Sequence, residues 1–110
     1  MAILDRRSGR ERRRNFRYGV TIEIEWESAD GRKKGTLSDI SVEGCFILTA
    51  GEIADGETVK IFLPLAGGMK AQLNGEVVNH VYEIGFAARF VEVTATQNDF
   101  LEKFVERLKK

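Results

Sequence analysis

Val20-Thr21-Ile22-Glu23-Ile24-Glu25-Trp26-Glu27 alternates apolar and polar residues without a break. Successive side chains of a strand point to opposite faces, so this period of two reads as a half-buried strand with a charged outer face. The stretches on its C-terminal side repeat the theme. Asp30-Gly31 is a turn signal, and a second strand is expected from about Lys33 through Thr36 to Ser41. Glu43-Gly44 breaks or bulges it, and Cys45 to Thr49 resumes. Ala54-Asp55-Gly56-Glu57 marks another turn, and Thr58 to Leu63 is apolar at Val59, Ile61 and Leu63. Pro64 ends that strand because it cannot donate to a ladder. Gly67-Gly68 turns the chain into a strand from Met69 to Val78, with Gly75 at a bulge or bend. The last strand is expected from about Ile84 to Val93, with Ile84, Phe86, Ala88 and Phe90 on one face.

The period then changes. Phe100, Leu101, Phe104, Val105 and Leu108 form one stripe at helical spacing. Thr96 with Asp99 three residues on resembles a capping box with Asp in place of Glu, and Lys109 and Lys110 suit the negative end of a helix dipole. About six closely spaced strands followed by one helix favour an antiparallel β-barrel with the helix over an open end or a face. No internal repeat and no second domain is visible. The expected organisation is a flexible arginine-rich arm over 1–17, a barrel over 18–94 and a helix over 95–110, all in one domain.

The chain's 110 residues suit a single domain with one core, and an apolar fraction of 43% is ordinary for a folded protein. No apolar run approaches the roughly 18 residues of a membrane span. The arginines near the start are followed by no apolar stretch, so neither a secretory signal nor a twin-arginine signal is expected. Cys45 is the single cysteine, which excludes an internal disulfide and fits a reducing cytoplasm. With His80 as the only histidine, a Cys-rich or His-rich metal site is excluded as well. The zero net charge hides a dipole. Residues 1–17 carry seven arginines against Asp5 and Glu11, a net of +5, and the remainder carries −5. A basic arm on an acidic body implies either an anionic partner or an arm that folds back on its own body.

Two motifs carry the chemistry. Glu11-Arg12-Arg13-Arg14-Asn15-Phe16-Arg17 contains Arg-x-x-x-Arg as Arg13 and Arg17, and Asp39-Ile40-Ser41-Val42-Glu43-Gly44 reads Asp-x-Ser-x-x-Gly. The arm has no lysine, although 7 of the chain's 17 basic residues are lysines. Arginine's planar fork matches phosphate oxygens and the guanine O6/N7 edge, and it stacks on purine faces. An ionised Asp39 is an acceptor, suited to guanine's N1–H and N2–H donors. Ser41, two residues on, is expected on the same strand face, and Gly44 leaves room for a flat base or a bent backbone. Arg10 and Arg14 have the same spacing as Arg13 and Arg17, so spacing alone does not fix the register.

This pair of motifs, in this order and on a six-strand pattern, resembles the ligand signature of the PilZ domain, a small β-barrel that binds the bacterial second messenger cyclic di-GMP. The resemblance spans nearly the whole chain. It implies a non-catalytic receptor with cyclic di-GMP as ligand, no cofactor and no metal, acting on an effector protein in the cytoplasm. It implies ligand contacts by Arg13 and Arg17, a register favoured by the Glu-Arg-Arg before them and the strand after them, with Asp39, Ser41 and Gly44 on the barrel. Arg12 adds a further contact, in a neighbourhood that bears on whether one ligand or a stacked pair binds. Glu43 departs from the pattern, which often has a small residue there.

Two other readings compete with this one. A nucleic-acid-binding barrel would use the same basic arm, but the body is net acidic and only Phe16 and Tyr18 flank the arm. A PilZ-like interaction module without ligand would have no need of an intact Arg13, Arg17, Asp39, Ser41 and Gly44. An enzyme is the weakest reading, since no nucleophile, base and orienting group come together. Cys45, Trp26 and the helix stripe read as core, Gly75 and Gly85 as relief of crowding, and Gly67-Gly68 as a turn without the Lys-Ser/Thr of a phosphate loop.

Overall fold

In the computed structural model, which describes residues 18–108, six strands close into one antiparallel barrel. The elements are β1 (Tyr18–Ser28), β2 (Gly31–Ile40), β3 (Gly44–Leu48), β4 (Thr58–Pro64), β5 (Lys70–Val81), β6 (Gly85–Val91) and the helix α1 (Ala95–Leu108). Around the barrel the order is β1-β2-β3-β6-β5-β4, with β4 pairing back onto β1 through Glu25 opposite Phe62. Closure is made by a short seam in which Glu25, Trp26 and Glu27 pair with Phe62, Ile61 and Lys60, covering that part of the two outer strands.

The alternation in β1 does what its period requires. Ile24 and Trp26 are buried, and Trp26 is wholly so. Its ring meets Phe86 of β6 edge to face, with centroids 4.9 Å apart and planes at 70°, a favoured aromatic geometry. Leu37, Ile40, Ile47, Ile61, Leu63 and Leu73 complete a core drawn from all six strands, and Cys45 is a fully buried member of it. Helix α1 adds Leu101 and Phe104 to the same cluster, with Phe100 and Leu108 against it.

Several boundaries differ from the sequence expectation, each for a local reason. Helix α1 starts at Ala95 and is capped by Thr94 rather than Thr96. The Gln97 amide donates to Thr94 Oγ1 at 3.1 Å, and the Thr94 amide donates to Gln97 Oε1 at 3.0 Å, a reciprocal capping box. Asp99 instead pairs with Lys103 one turn on, at 3.2 Å. Strand β5 runs to Val81 because His80 and Val81 still pair with Phe86 and Gly85. Ile84 therefore falls in the turn rather than on the inner face, 53% exposed, next to Glu83 at φ 61°. Strand β2 begins at Gly31, directly opposite Ser28, so Ala29-Asp30 is a two-residue hairpin loop.

Candidate functional site

Strand pairing builds the site around the Asp-x-Ser-x-x-Gly stretch. The start of β1 runs antiparallel to the end of β2, with Tyr18 opposite Ile40 and Gly19 opposite Asp39. The residue that follows Arg17 in the chain is therefore hydrogen-bonded into the ladder beside the second motif. On its other side β2 pairs with β3, Asp39 opposite Phe46 and Ile40 opposite Cys45. Both ladders are irregular here. The β1 register shifts between Gly19 and Ile22, and the β3 register shifts between Leu37 and Asp39. Bulges of this kind re-aim side chains. Leu37 and Ile40 both point into the core, and the half-buried Asp39 is left on the outer face.

Ser41 departs from its expected position. It lies just past β2 and is 2% exposed, so it does not share the outer face with Asp39. Its hydroxyl turns back on its own loop and accepts from the amides of Glu43 at 3.1 Å and Gly44 at 3.3 Å. The Ser41 amide donates to the Gly44 carbonyl at 2.8 Å, closing the turn. The Phe90 amide then donates to the Glu43 carbonyl at 2.9 Å, which ties the loop to β6. Ser41 thus supplies the hydrogen bonds that hold Asp39 and Gly44 in fixed relation.

Gly44 is buried opposite Arg89, and a Cβ there would fall inside van der Waals contact of the Ala88 carbonyl oxygen. Only a glycine lets β3 approach β6 this closely. Gly85 is the same case at the other end of β3, where a Cβ would collide with the Ile47 carbonyl. The Glu43 side chain is exposed.

Two neighbours of the motif were not singled out by the sequence. Phe46 shares the outer face with Asp39, and Arg89 lies across from Gly44 with its guanidinium paired to Glu76 on β5. The alternation of β3 could have pointed to Phe46, since Cys45 and Ile47 on either side of it are buried. Arg10, Arg12, Arg13, Arg14 and Arg17 lie outside the described residues.

The remaining candidates have local roles. His80 Nδ1 meets Asp55 Oδ1 at 2.7 Å in an exposed pair. Glu25 is hydrogen-bonded to Lys70 at 3.2 Å and flanked by Arg32 at 3.4 Å. The Lys70 ammonium, with help from Arg32, holds the Glu25 carboxyl below the usual carboxylate range. Glu25 also lines a groove of about 490 Å³ with Lys34, Phe62 and Lys70, which does not include Asp39. Among the described residues no three His, Cys, Asp or Glu side chains gather as a metal site, and no helix is long and apolar enough to cross a membrane.

A sequence model of the PilZ domain matches residues 11–107, an interval that spans both motifs. No curated protein matches the chain at a significant level. Solved structures do. The PilZ domain of CeSA from a cellulose-synthesizing bacterium superposes with a TM-score of 0.69 at 20% identity, over 86% of this chain and 98% of that one. The PilZ domain of Escherichia coli YcgR, described with c-di-GMP, gives 0.72 at 17% identity, over 86% and 88%. Borreliella burgdorferi PlzA, described in complex with c-di-GMP, gives 0.67 at 10% identity, over 94% of this chain and 45% of that one. At these identities the structural likeness establishes the barrel and its helix.

Proposed function

We propose that this chain, which belongs to the PilZ domain family, is a non-catalytic receptor for cyclic di-GMP that orders its N-terminal arm on the ligand and signals to a partner protein. The observation that carries the proposal is the register of β1 on β2: Gly19, two residues after Arg17, lies opposite Asp39. The two motifs are separate in sequence, and this pairing sets the residues that directly follow the first beside the second. The ligand complexes of two structurally similar proteins support the choice of ligand.

The chemistry follows from the groups. Asp39 accepts from the N1–H and N2–H of one guanine. Arg13 and Arg17 fork onto phosphate and guanine edges, and Arg12 adds a contact at the first of them. Ser41 and Gly44 act by fixing the loop that positions Asp39. In the free state the arm's net charge of +5 opposes its own compaction. Ligand phosphates neutralise that charge, so the arm closes on the barrel and presents a different surface to the partner. The ligand drives closure only through its greater affinity for the closed arrangement. A cytoplasmic location suits the lone buried Cys45.

Isothermal titration calorimetry of cyclic di-GMP into the purified chain, with GTP and a short oligonucleotide as competitors, tests the proposal. Selective binding at low-micromolar concentration or tighter is expected, and the molar ratio separates one ligand from a stacked pair. Absence of heat with cyclic di-GMP refutes it, and tight salt-sensitive binding of the oligonucleotide moves the arm to a nucleic-acid role.

A further inference from the structure

Across five strands, one outer row of the barrel reads Gly19, Asp39, Phe46, Ala87, Asn79. Residues directly opposite one another in antiparallel strands project to the same face, with Cβ atoms about 4.5–5.5 Å apart. The inward neighbours agree with that assignment, since Ile40, Cys45, Ile47, Phe86 and Ala88 are all buried. Phe46 is therefore an outward phenyl on a small barrel. It is half-buried and, among the described residues, belongs neither to the core cluster nor to the side chains packed against it. Core packing gives no account of it.

Its surroundings give one. On one side stands the Asp39 carboxylate, and beyond that Gly19, where an added Cβ would meet none of the described residues within 4 Å. On the other side stands Ala87, no larger than a methyl group. The phenyl thus has an acceptor on one side and a low position on the other. A flat base laid on a phenyl is held by its face and leaves its edge free. A carboxylate one cross-strand step away reaches that edge.

We propose that Phe46 is the stacking platform for the purine whose edge Asp39 reads. The proposal rests on the cyclic di-GMP reading and assigns within it a contact that neither arginine spacing nor the Asp-x-Ser-x-x-Gly stretch contains. The two residues divide the work. Stacking tolerates any base and supplies affinity, and the carboxylate selects guanine through its two donors.

Calorimetry of cyclic di-GMP binding by wild type, Phe46→Leu and Phe46→Trp, together with the guanine H8 proton resonance of the bound ligand, tests it. Phe46→Leu keeps an apolar side chain and removes the π face. It is expected to bind about tenfold more weakly or worse, to melt within a few degrees of wild type when free, and to lose the upfield H8 shift. Phe46→Trp is expected to restore both binding and shift. Wild-type binding with no upfield H8 shift, or a Phe46→Leu affinity within twofold of wild type, overturns the platform and leaves the receptor reading standing. A wild-type chain that does not bind cyclic di-GMP overturns both.

Discussion

Gly44 offers a test of whether the Asp-x-Ser-x-x-Gly stretch acts first on the ligand or first on the barrel. In Gly44→Ala the new methyl would lie inside 3.0 Å of the Ala88 carbonyl oxygen and at 3.4 Å from both the Ala88 carbonyl carbon and Arg89 Cα. Those are backbone atoms of β6, so no side chain can swing aside. Gly44 has no positive φ, so alanine can adopt its backbone conformation and the penalty is steric alone. Restoring an ordinary contact moves β3 away from β6 by roughly 1 Å. That shift strains the hydrogen bond from the Phe90 amide to the Glu43 carbonyl, at 2.9 Å, and the loop bonds to Ser41. Overpacking costs about 1–3 kcal/mol and a weakened hydrogen bond about 1 kcal/mol, so a loss of about 2–4 kcal/mol is expected with no ligand present. For a domain of this size that corresponds to a fall in Tm on the order of 10–20 °C.

Urea unfolding followed by fluorescence is the assay. Trp26 is the only tryptophan and is wholly buried, so its emission reports loss of the core directly. Gly19→Ala is the matched control, because among the described residues nothing lies within 4 Å of the added Cβ and its φ is also unexceptional. Its stability should stay within about 0.5 kcal/mol of wild type. Should Gly44→Ala unfold at the same urea concentration as Gly19→Ala, the close approach of β3 to β6 is not what requires glycine. The residue would then be reassigned to ligand clearance.

Other outcomes follow from the same geometry. Arg13→Ala, Arg17→Ala and Asp39→Ala should each weaken cyclic di-GMP binding at least tenfold, since a charge-assisted contact contributes about 1.5–3 kcal/mol; calorimetry with all three unchanged would remove them from the site. Ser41→Ala leaves the half-buried Glu43 amide and the buried Gly44 amide without their acceptor, so a loss of about 1–3 kcal/mol is expected, with faster hydrogen exchange at Glu43 and Gly44. Glu25 has a folded-state pKa depressed by Lys70 and then Arg32. Its contribution to stability is therefore present above the unfolded-state pKa and lost as pH falls through the lower folded value. Carboxyl titration by NMR should place Glu25 below an ordinary glutamate, and Lys70→Ala should raise it; no movement would mean that the pair is not formed in solution.

The barrel was legible because its strands carry strong period-two signals. Val20 to Trp26 gave β1 its faces, and the change to helical spacing at Phe100 marked α1. The misplaced details depend on geometry that periodicity does not contain. Thr94 and Thr96 both precede a residue able to cap, and only the three-dimensional exit from β6 selects Thr94 with Gln97. Ile84 keeps parity with Phe86 and Phe90, yet the left-handed Glu83 takes it out of the strand. At the site the decisive irregularity is the register shift between Leu37 and Asp39. Because β2 ends at Ile40, the two-residue spacing of Asp39 and Ser41 does not place both on one face. The same shift sets Asp39 opposite Phe46, which no count along the chain reveals.

These features divide the proposed site into halves of different character. The strand-borne half is fixed before any ligand arrives. Asp39 is held by two ladders, its loop is closed by Ser41, and β3 is pinned to β6 through Gly44 and the Glu43–Phe90 bond. A preformed surface loses little entropy on binding, so under the proposed function this half adds little to the ordering cost of recognition. Mutations should separate accordingly. Changes at Ser41 or Gly44 should lower stability and affinity together, whereas changes at Arg13 or Arg17 should lower affinity at unchanged free-protein stability. Affinity should also fall with added salt, and the fall should be shallower in Arg13→Ala and Arg17→Ala, because a removed charge no longer contributes a screened attraction. Equal salt dependence in wild type and both variants would place the phosphates away from the arm, and the switch would then need another moving part.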